Sequence, residues 1–261
     1  MESTLSYSVI IPARYGSTRL PAKALLDIGG KPMIQHVYER ACQSGASEVL
    51  IATDDERIAS AAANFGAEVE ITRQSHPSGT DRLQEVVSNR RYDSEQVVVN
   101  VQGDEPLIPP AAIDQVAADL LQHRDAGMAT LCERIEDVDT LLDSNSVKVV
   151  RDQQQRALYF SRAAIPHLRS AAGGDCRQEI QQAIAAGQSW YRHIGIYAYR
   201  TATLNDFVTW PASTLEQRES LEQLRALDNG ITIICSESQL PMPGGIDTEQ
   251  DLERVRELLQ E

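Results

Sequence analysis

Aromatic side chains are scarce in this chain of 261 residues: three Phe, two Trp and eight Tyr make up 5 % of it. A core must therefore be built mainly from Ala, Val, Ile and Leu. Cations are also in short supply. Lys and Arg number 24 against 38 Asp and Glu, for a formal net charge of −14. That balance argues against nonspecific binding to nucleic acid and against adhesion to anionic membranes, both of which need a basic face. Four cysteines, Cys42, Cys132, Cys176 and Cys235, stand far apart with no Cys-x-x-Cys pair. Zinc and redox roles lack support from that spacing, and buried reduced thiols are expected. No apolar run approaches the ~20 residues of a membrane helix. The short apolar run at residues 9–13 leads straight into Arg14, so no secretory leader is expected. What is present, 42 % hydrophobic and 24 % charged residues, suits an ordinary soluble globule.

Against this acidity one segment stands out. Residues 10–23 read Ile-Ile-Pro-Ala-Arg-Tyr-Gly-Ser-Thr-Arg-Leu-Pro-Ala-Lys. A short strand runs into a loop carrying Arg14, Gly16, Ser17, Arg19 and Lys23. Like charges repel, so three cations this close either form a solvated basic loop or converge on a polyanion. Main-chain N–H groups of a Gly/Ser turn can cradle phosphate oxygens while Arg and Lys neutralise the rest. The spacing is neither that of a P-loop nor Gly-x-Gly-x-x-Gly. A local positive funnel in an acidic protein suits a small anionic substrate accompanied by a divalent metal.

The first half alternates the two hydrophobic periods. Strands are predicted at 7–11, 48–53, 68–72 and 97–101, the last buried on both faces. Helices are predicted at 32–42, 56–65, 81–87 and 111–122. Such alternation implies an α/β fold with a mixed, mostly parallel sheet and helices on both faces. Ligands of these sheets bind beyond the carboxyl ends of the strands. The second half is less regular. Strands are expected at 128–134, 147–151, 158–161, 193–199 and 231–235, and helices at 175–186, 214–228 and 247–259. Residues 170–174 read as an exposed loop. Ser213 and Glu216 form a capping box for the 214–228 helix, and Gly230 lies just past its end. The parsing is one domain over residues 1–261 with a smaller embedded lobe at about 134–210.

Two acidic positions could carry chemistry. The strand at 97–101 delivers Asp104 behind Gln102 and Gly103, where a carboxylate could hold Mg²⁺ bridged to phosphate oxygens or simply shape a turn before Pro106. Asp247 follows Gly244, Gly245 and Ile246, and reads either as a helix N-cap or as the second carboxylate of such a site. His76, Pro77, Ser78, Gly79, Thr80, Asp81 and Arg82 form a donor-rich turn in which Asp81 could cap a helix. Arg162 ends a strand, where its fork could grip a carboxylate. His193 and Tyr197 share a strand face, and Glu222 and Gln223 sit on an amphipathic helix.

Residues 11–23 resemble the opening motif of the sugar-acid cytidylyltransferases. Residues 99–106, 157–162 and 221–225 narrow the resemblance to the branch acting on 3-deoxy-manno-octulosonate (Kdo), and residues 127–131 and 147–150 agree. It spans nearly the whole chain. The resemblance implies a Rossmann-like nucleotidyltransferase fold and a cytoplasmic, homodimeric, Mg²⁺-dependent enzyme. Its reaction would transfer CMP from CTP to the anomeric hydroxyl of Kdo, releasing pyrophosphate, for lipopolysaccharide biosynthesis. It implies no nucleic-acid partner and no membrane insertion. By motif, Arg14, Gly16, Ser17, Arg19 and Lys23 would hold the phosphates. Ser78, Gly79, Thr80 and Arg82 would lie near the base or ribose. Asp104 and Asp247 would bind the metal, and Arg19, Lys23, Asp104 and Asp247 would form the catalytic set. Gln102, Arg162, His193, Tyr197, Glu222 and Gln223 would line the sugar pocket, and the lobe would bind sugar and dimerise. An 8-amino analogue of Kdo or another sugar acid is the alternative substrate; a non-catalytic nucleotide-sugar-binding regulator is the alternative class. Ala22 and Ala24 stand where relatives often carry Gly and Pro, with little effect expected because both are small.

Overall fold

The computed structural model describes residues 6–16, 20–169 and 176–259. Eleven strands and ten α-helices are found among them: β1 (Tyr7–Ala13), β2 (Asp27–Ile28), β3 (Lys31–Pro32), α1 (Met33–Ala41), β4 (Glu48–Thr53), α2 (Glu56–Asn64), β5 (Glu68–Ile71), α3 (Gly79–Asn89), β6 (Val97–Asn100) and α4 (Pro110–Gln122) come first. The second half adds β7 (Met128–Arg134), α5 (Val138–Leu142), β8 (Lys148–Arg151), β9 (Ala157–Ser161), α6 (Cys176–Ala185), β10 (Tyr191–Arg200), α7 (Thr201–Phe207), α8 (Thr214–Glu219), α9 (Gln223–Asp228), β11 (Ile233–Glu237) and α10 (Glu249–Leu258).

The main sheet runs β11-β7-β10-β6-β1-β4-β5, with β8 and β9 branching from the start of β10. Pairings β1–β4, β1–β6, β4–β5 and β11–β7 are parallel, whereas β10 is antiparallel to β6, β7 and β8. Along the main path only β10 therefore runs against the others, and the expected mixed, mostly parallel sheet is what forms. From β1 the chain moves outward to β4 and β5, then returns to lay β6 on the other side of β1. That reversal opens a crevice at the carboxyl ends of β1, β4 and β6.

Alternation along each strand builds two cores. Val9 and Ile11 of β1 join Val97 and Val99 of β6 against α1 and α4, while Ile10, Leu50 and Val98 pack on the opposite face with Leu83 of α3 and Leu204 of α7. A small third cluster packs Leu252 and Val255 of α10 onto Ile28 and Met33. It is this cluster that brings the distant C-terminal segment to the crevice. A fourth, made by Ile135, Leu141, Ile180 and Trp190, lies within residues 134–210.

Several local expectations are corrected. The predicted 214–228 helix is two helices, because Ser220 takes the left-handed conformation (φ 52°) and ends α8. No residue of α8 is buried, while Leu224 and Ala226 of α9 are. The turn thus lets only the second segment face the core. α3 begins at Gly79 with Ser78 as its cap, and α10 is capped by Thr248, so neither Asp81 nor Asp247 is an N-cap. α7 and the β2–β3 hairpin were not predicted. Cys132 and Cys235 are buried thiols, but Cys42 and Cys176 are exposed. The predicted 170–174 loop lies outside the described residues.

Candidate active site

The crevice holds a cleft of about 730 Å³. Its floor is the end of β1 (Pro12, Ala13, Arg14) and the turn after β6 (Gln102, Gly103, Asp104). Gly103 is required here: a Cβ would stand 2.9 Å from the Pro12 carbonyl oxygen. A short 3₁₀ turn, Lys23–Leu25, follows the opening loop, and Ala22 before it is held at φ 55°. That turn aims Lys23 at the floor. Its Nζ donates to Asp104 Oδ2 at 2.7 Å and to Asp247 Oδ1 at 3.0 Å. The acidic segments also meet through their main chains, Ile246 N donating to Asp104 O at 2.9 Å. The Tyr15 ring is covered by the Arg57 guanidinium, 3.3 Å from the ring centre, and Asp55 holds Arg57 in turn. This stack anchors the start of the loop to the first turn of α2.

One wall is the N-terminus of α3. Ser78 Oγ accepts from the Asp81 N–H and donates to the Asp81 carboxylate at 2.7 Å. Arg82 is buried and donates to Asp54 at 3.0 Å and to the Thr72 hydroxyl. The opposite wall is the α8–α9 corner. Arg225 grips Glu216 through two hydrogen bonds of 2.8 and 2.5 Å, and its guanidinium lies over the Phe207 ring. Those bonds hold the Glu216 carboxyl below the usual carboxylate range. Glu222 accepts a 2.7 Å hydrogen bond from Thr80 Oγ1, joining the two walls.

Asp104 and Asp247 are the pair suited to a divalent cation. Both lie within 3.0 Å of one ammonium, and their side chains are 38 % and 52 % exposed, so they face the cleft. Among the described residues no cluster of three or more His, Cys, Asp or Glu forms a cage. Two carboxylates at an open cleft suit an ion whose remaining ligands are phosphate oxygens and water.

Known proteins with this architecture share more than the sheet. Residues 8–233 match the cytidylyltransferase family. The 3-deoxy-manno-octulosonate cytidylyltransferase of Pseudomonas syringae pv. syringae is 54 % identical over 257 residues, covering 98 % of this chain and 99 % of that one. Its counterpart in Cellvibrio japonicus is 55 % identical over 256 residues, with 98 % and 99 % covered. The chain belongs to the 3-deoxy-manno-octulosonate cytidylyltransferase family. A solved structure of CMP:2-keto-3-deoxy-manno-octonic acid synthetase complexed with CTP superposes on it with a TM-score of 0.86 at 42 % identity, covering 97 % of this chain and 98 % of that one.

In this cytidylyltransferase the sequence-predicted residues divide. Arg14, Lys23, Ser78, Gly79, Arg82, Gln102, Asp104, Glu222 and Asp247 all line the one cleft. Ser17 and Arg19 lie outside the described residues. Gly16, Thr80, Arg162, His193, Tyr197 and Gln223 are not on the cleft wall. Thr80 stands behind it, holding Glu222. The Arg162 guanidinium donates to main-chain carbonyls, Glu219 O at 2.7 Å and Ser144 O at 3.0 Å, rather than to a carboxylate. His193 and Tyr197 do share a face, with ring centres 5.3 Å apart. The His193 Nε2 lies 3.0 Å from Thr130 Oγ1, and loss of water around the ring, with Arg192 beside it, brings its pKa down to about 3. The Tyr197 hydroxyl is buried with no hydrogen-bond partner among the described residues. Gln223 is buried on α9.

His76 of the donor-rich turn lines the cleft, as do Glu216 and Arg225, neither of which was singled out from the sequence as a site residue. Glu216 and Arg225 are nine positions apart, a spacing that does not pair on an uninterrupted helix. Only the left-handed Ser220 brings them together. A Ser at that position among strong helix formers was the available signal.

Proposed function

We propose that this chain transfers CMP from CTP to the anomeric hydroxyl of Kdo, releasing pyrophosphate, with Mg²⁺ held between Asp104 and Asp247. The observation that carries this reading is the convergence of Lys23, Asp104 and Asp247, from three distant parts of the chain, at the carboxyl ends of β1 and β6.

Nucleotidyl transfer is mainly a matter of positioning and charge neutralisation. Arg14 and Lys23, with Ser17 and Arg19 of the same loop, bind the triphosphate and stabilise charge on the departing pyrophosphate. Ser78, Gly79 and Arg82 bound the nucleoside end of the cleft. Gln102 and Glu222 orient the sugar hydroxyl for in-line attack on the α-phosphorus. Asp104 and Asp247 would hold Mg²⁺, which when bound would supply positive charge at the α-phosphate and favour ionisation of the attacking hydroxyl. No covalent nucleophile takes part. Arg162, His193, Tyr197 and Gln223 complete the sugar side, reached if the α8–α9 corner moves over the bound nucleotide.

The product would feed lipopolysaccharide synthesis in the cytoplasm, and the 134–210 lobe, which has its own apolar cluster, would bind sugar and form the contact of a homodimer. Among the described residues no helix is long and apolar enough to cross a membrane.

The deciding experiment measures pyrophosphate release from CTP and Mg²⁺ with Kdo, 8-amino-Kdo or sialic acid in parallel. Release with Kdo in strong preference, abolished in Asp104→Asn and Asp247→Asn, is the expected result. Preference for another sugar acid would reassign the substrate. Absence of release with every sugar, despite CTP binding, would make the chain a regulator.

A further inference from the structure

The main chain holds the two carboxylates close, whatever their counter-ion. Ile246 N donates to Asp104 O at 2.9 Å, and Gly245 packs so closely that a Cβ there would lie 3.3 Å from the same oxygen. Two acids held this way repel each other and call for a cation. Lys23 supplies one, bonded to both at 2.7 and 3.0 Å, with its side chain only 12 % exposed. The base of that side chain is fixed, since Leu25 N donates to Ala22 O at 2.8 Å and Leu26 N to Lys23 O at 3.1 Å. The ammonium ends a flexible four-carbon stem and is the part free to change partners.

We propose that Lys23 is a resident counter-cation that makes the Asp104–Asp247 pair accept a divalent metal only together with a polyphosphate. The ammonium already offsets part of the negative charge of the pair, so a divalent ion added alone leaves positive charge in excess beside Lys23. A polyphosphate removes that excess by drawing the ammonium from the carboxylates onto its own oxygens. Metal and nucleotide thereby strengthen each other's binding by the same factor, and free metal is a poor ligand. This role rests on the reading of the cleft given above and adds to it a reason for Lys23 to contact acid as well as phosphate.

The test titrates Mn²⁺ alone, with no nucleotide, and reads the free ion by electron paramagnetic resonance; circular dichroism confirms folding. Lys23→Met and Lys23→Gln are expected to bind Mn²⁺ on the order of tenfold more tightly than wild type, the scale of two half-exposed ion pairs. Lys23→Arg retains the charge and is expected to bind it as weakly as wild type. Equal or weaker Mn²⁺ binding in both neutral variants overturns the proposal, as does tightening in Lys23→Arg equal to that in Lys23→Met. Failure of the underlying reading looks different: Asp104→Asn and Asp247→Asn would then retain full turnover.

Discussion

Thr80 and Glu222, 142 positions apart, are joined by a 2.7 Å hydrogen bond that ties the start of α3 to the α8–α9 corner across the cleft. Thr80 is buried and Glu222 lines the cleft, so the bond sets the direction in which the carboxylate points. Removing it leaves the acid in place but unaimed. Thr80→Val is expected to raise KM for the sugar acid several-fold while KM for CTP changes little. The stability cost should be about 1 kcal/mol, that of one hydrogen bond. Initial rates over both substrates, with a urea melt, check this; equal changes in the two KM values would refute it.

Arg225 and Glu216 hold the same corner shut from the other side, both side chains being 13 % exposed. Arg225 keeps the Glu216 pKa lowered in the folded chain. The stabilisation from this pair is therefore complete above the unfolded carboxylate pKa of about 4.3 and is lost as pH falls through the folded value. Glu216→Gln is expected to lose about 1–3 kcal/mol at pH 7 and to show a flatter decline of stability between pH 5 and 3 than wild type. Denaturant melts across that range measure both effects.

His193 has a folded pKa lowered to about 3. Thr130 Oγ1 lies 2.7 Å from the Ile196 carbonyl and donates its one proton there, so it accepts at His193 and Nε2 must carry the ring proton. The imidazole should stay neutral, in the Nε2–H form, from pH 5 to 8, and no limb of the activity profile in that range should belong to it. Because the pKa is depressed, the linked stability is full above about 6.5 and falls as the solution is acidified toward the folded value. Nitrogen-15 NMR of the imidazole gives the tautomer directly; a titration midpoint near 6.5 would contradict the assignment.

Ala22 occupies the left-handed region at φ 55°, directly before Lys23. The small size of Ala was expected to make its presence there inconsequential. The positive φ shows otherwise, since a Cβ in this region costs roughly 1–2 kcal/mol. Ala22→Gly is expected to raise stability by about 0.5–1 kcal/mol after the greater unfolded-state entropy of Gly is subtracted. A fall in Tm would show that the strain is not there.

Gly103 lies where the β6 turn crosses the end of β1, and an added Cβ would meet Pro12 O at 2.9 Å and Ile34 Cδ1 at 3.4 Å. Gly103→Ala must push the turn off the strand. About 1–3 kcal/mol of stability should be lost, and turnover should fall by more than the folded fraction does, because Asp104 moves with the turn. Comparing Tm with kcat separates the two losses.

How much was legible in the chain depended on the range of the forces involved. Strand β7 was read from its sequence with the bounds it adopts, and α1 and α2 to within a residue at each end, because period and capping are written in neighbouring residues. The α8–α9 break was not legible, since it depends on what Leu221 and Leu224 find to pack against once Ser220 turns. Asp247 was read as a candidate N-cap, but Thr248 takes that role by accepting from Asp251 N, and the Asp247 carboxylate instead meets Lys23, 224 residues away in sequence.

The order of residues alone determined the alternating strands and helices, the acidic surface and a basic loop set against it, because periodicity, charge and turn chemistry act over a few positions. Tertiary structure decided which acids meet Lys23, which Arg closes the α8–α9 corner and which predicted pocket residues sit behind the wall. Those outcomes come from packing between segments up to 224 residues apart, where the order of the sheet and the burial of a few apolar side chains determine which polar groups come within hydrogen-bonding reach.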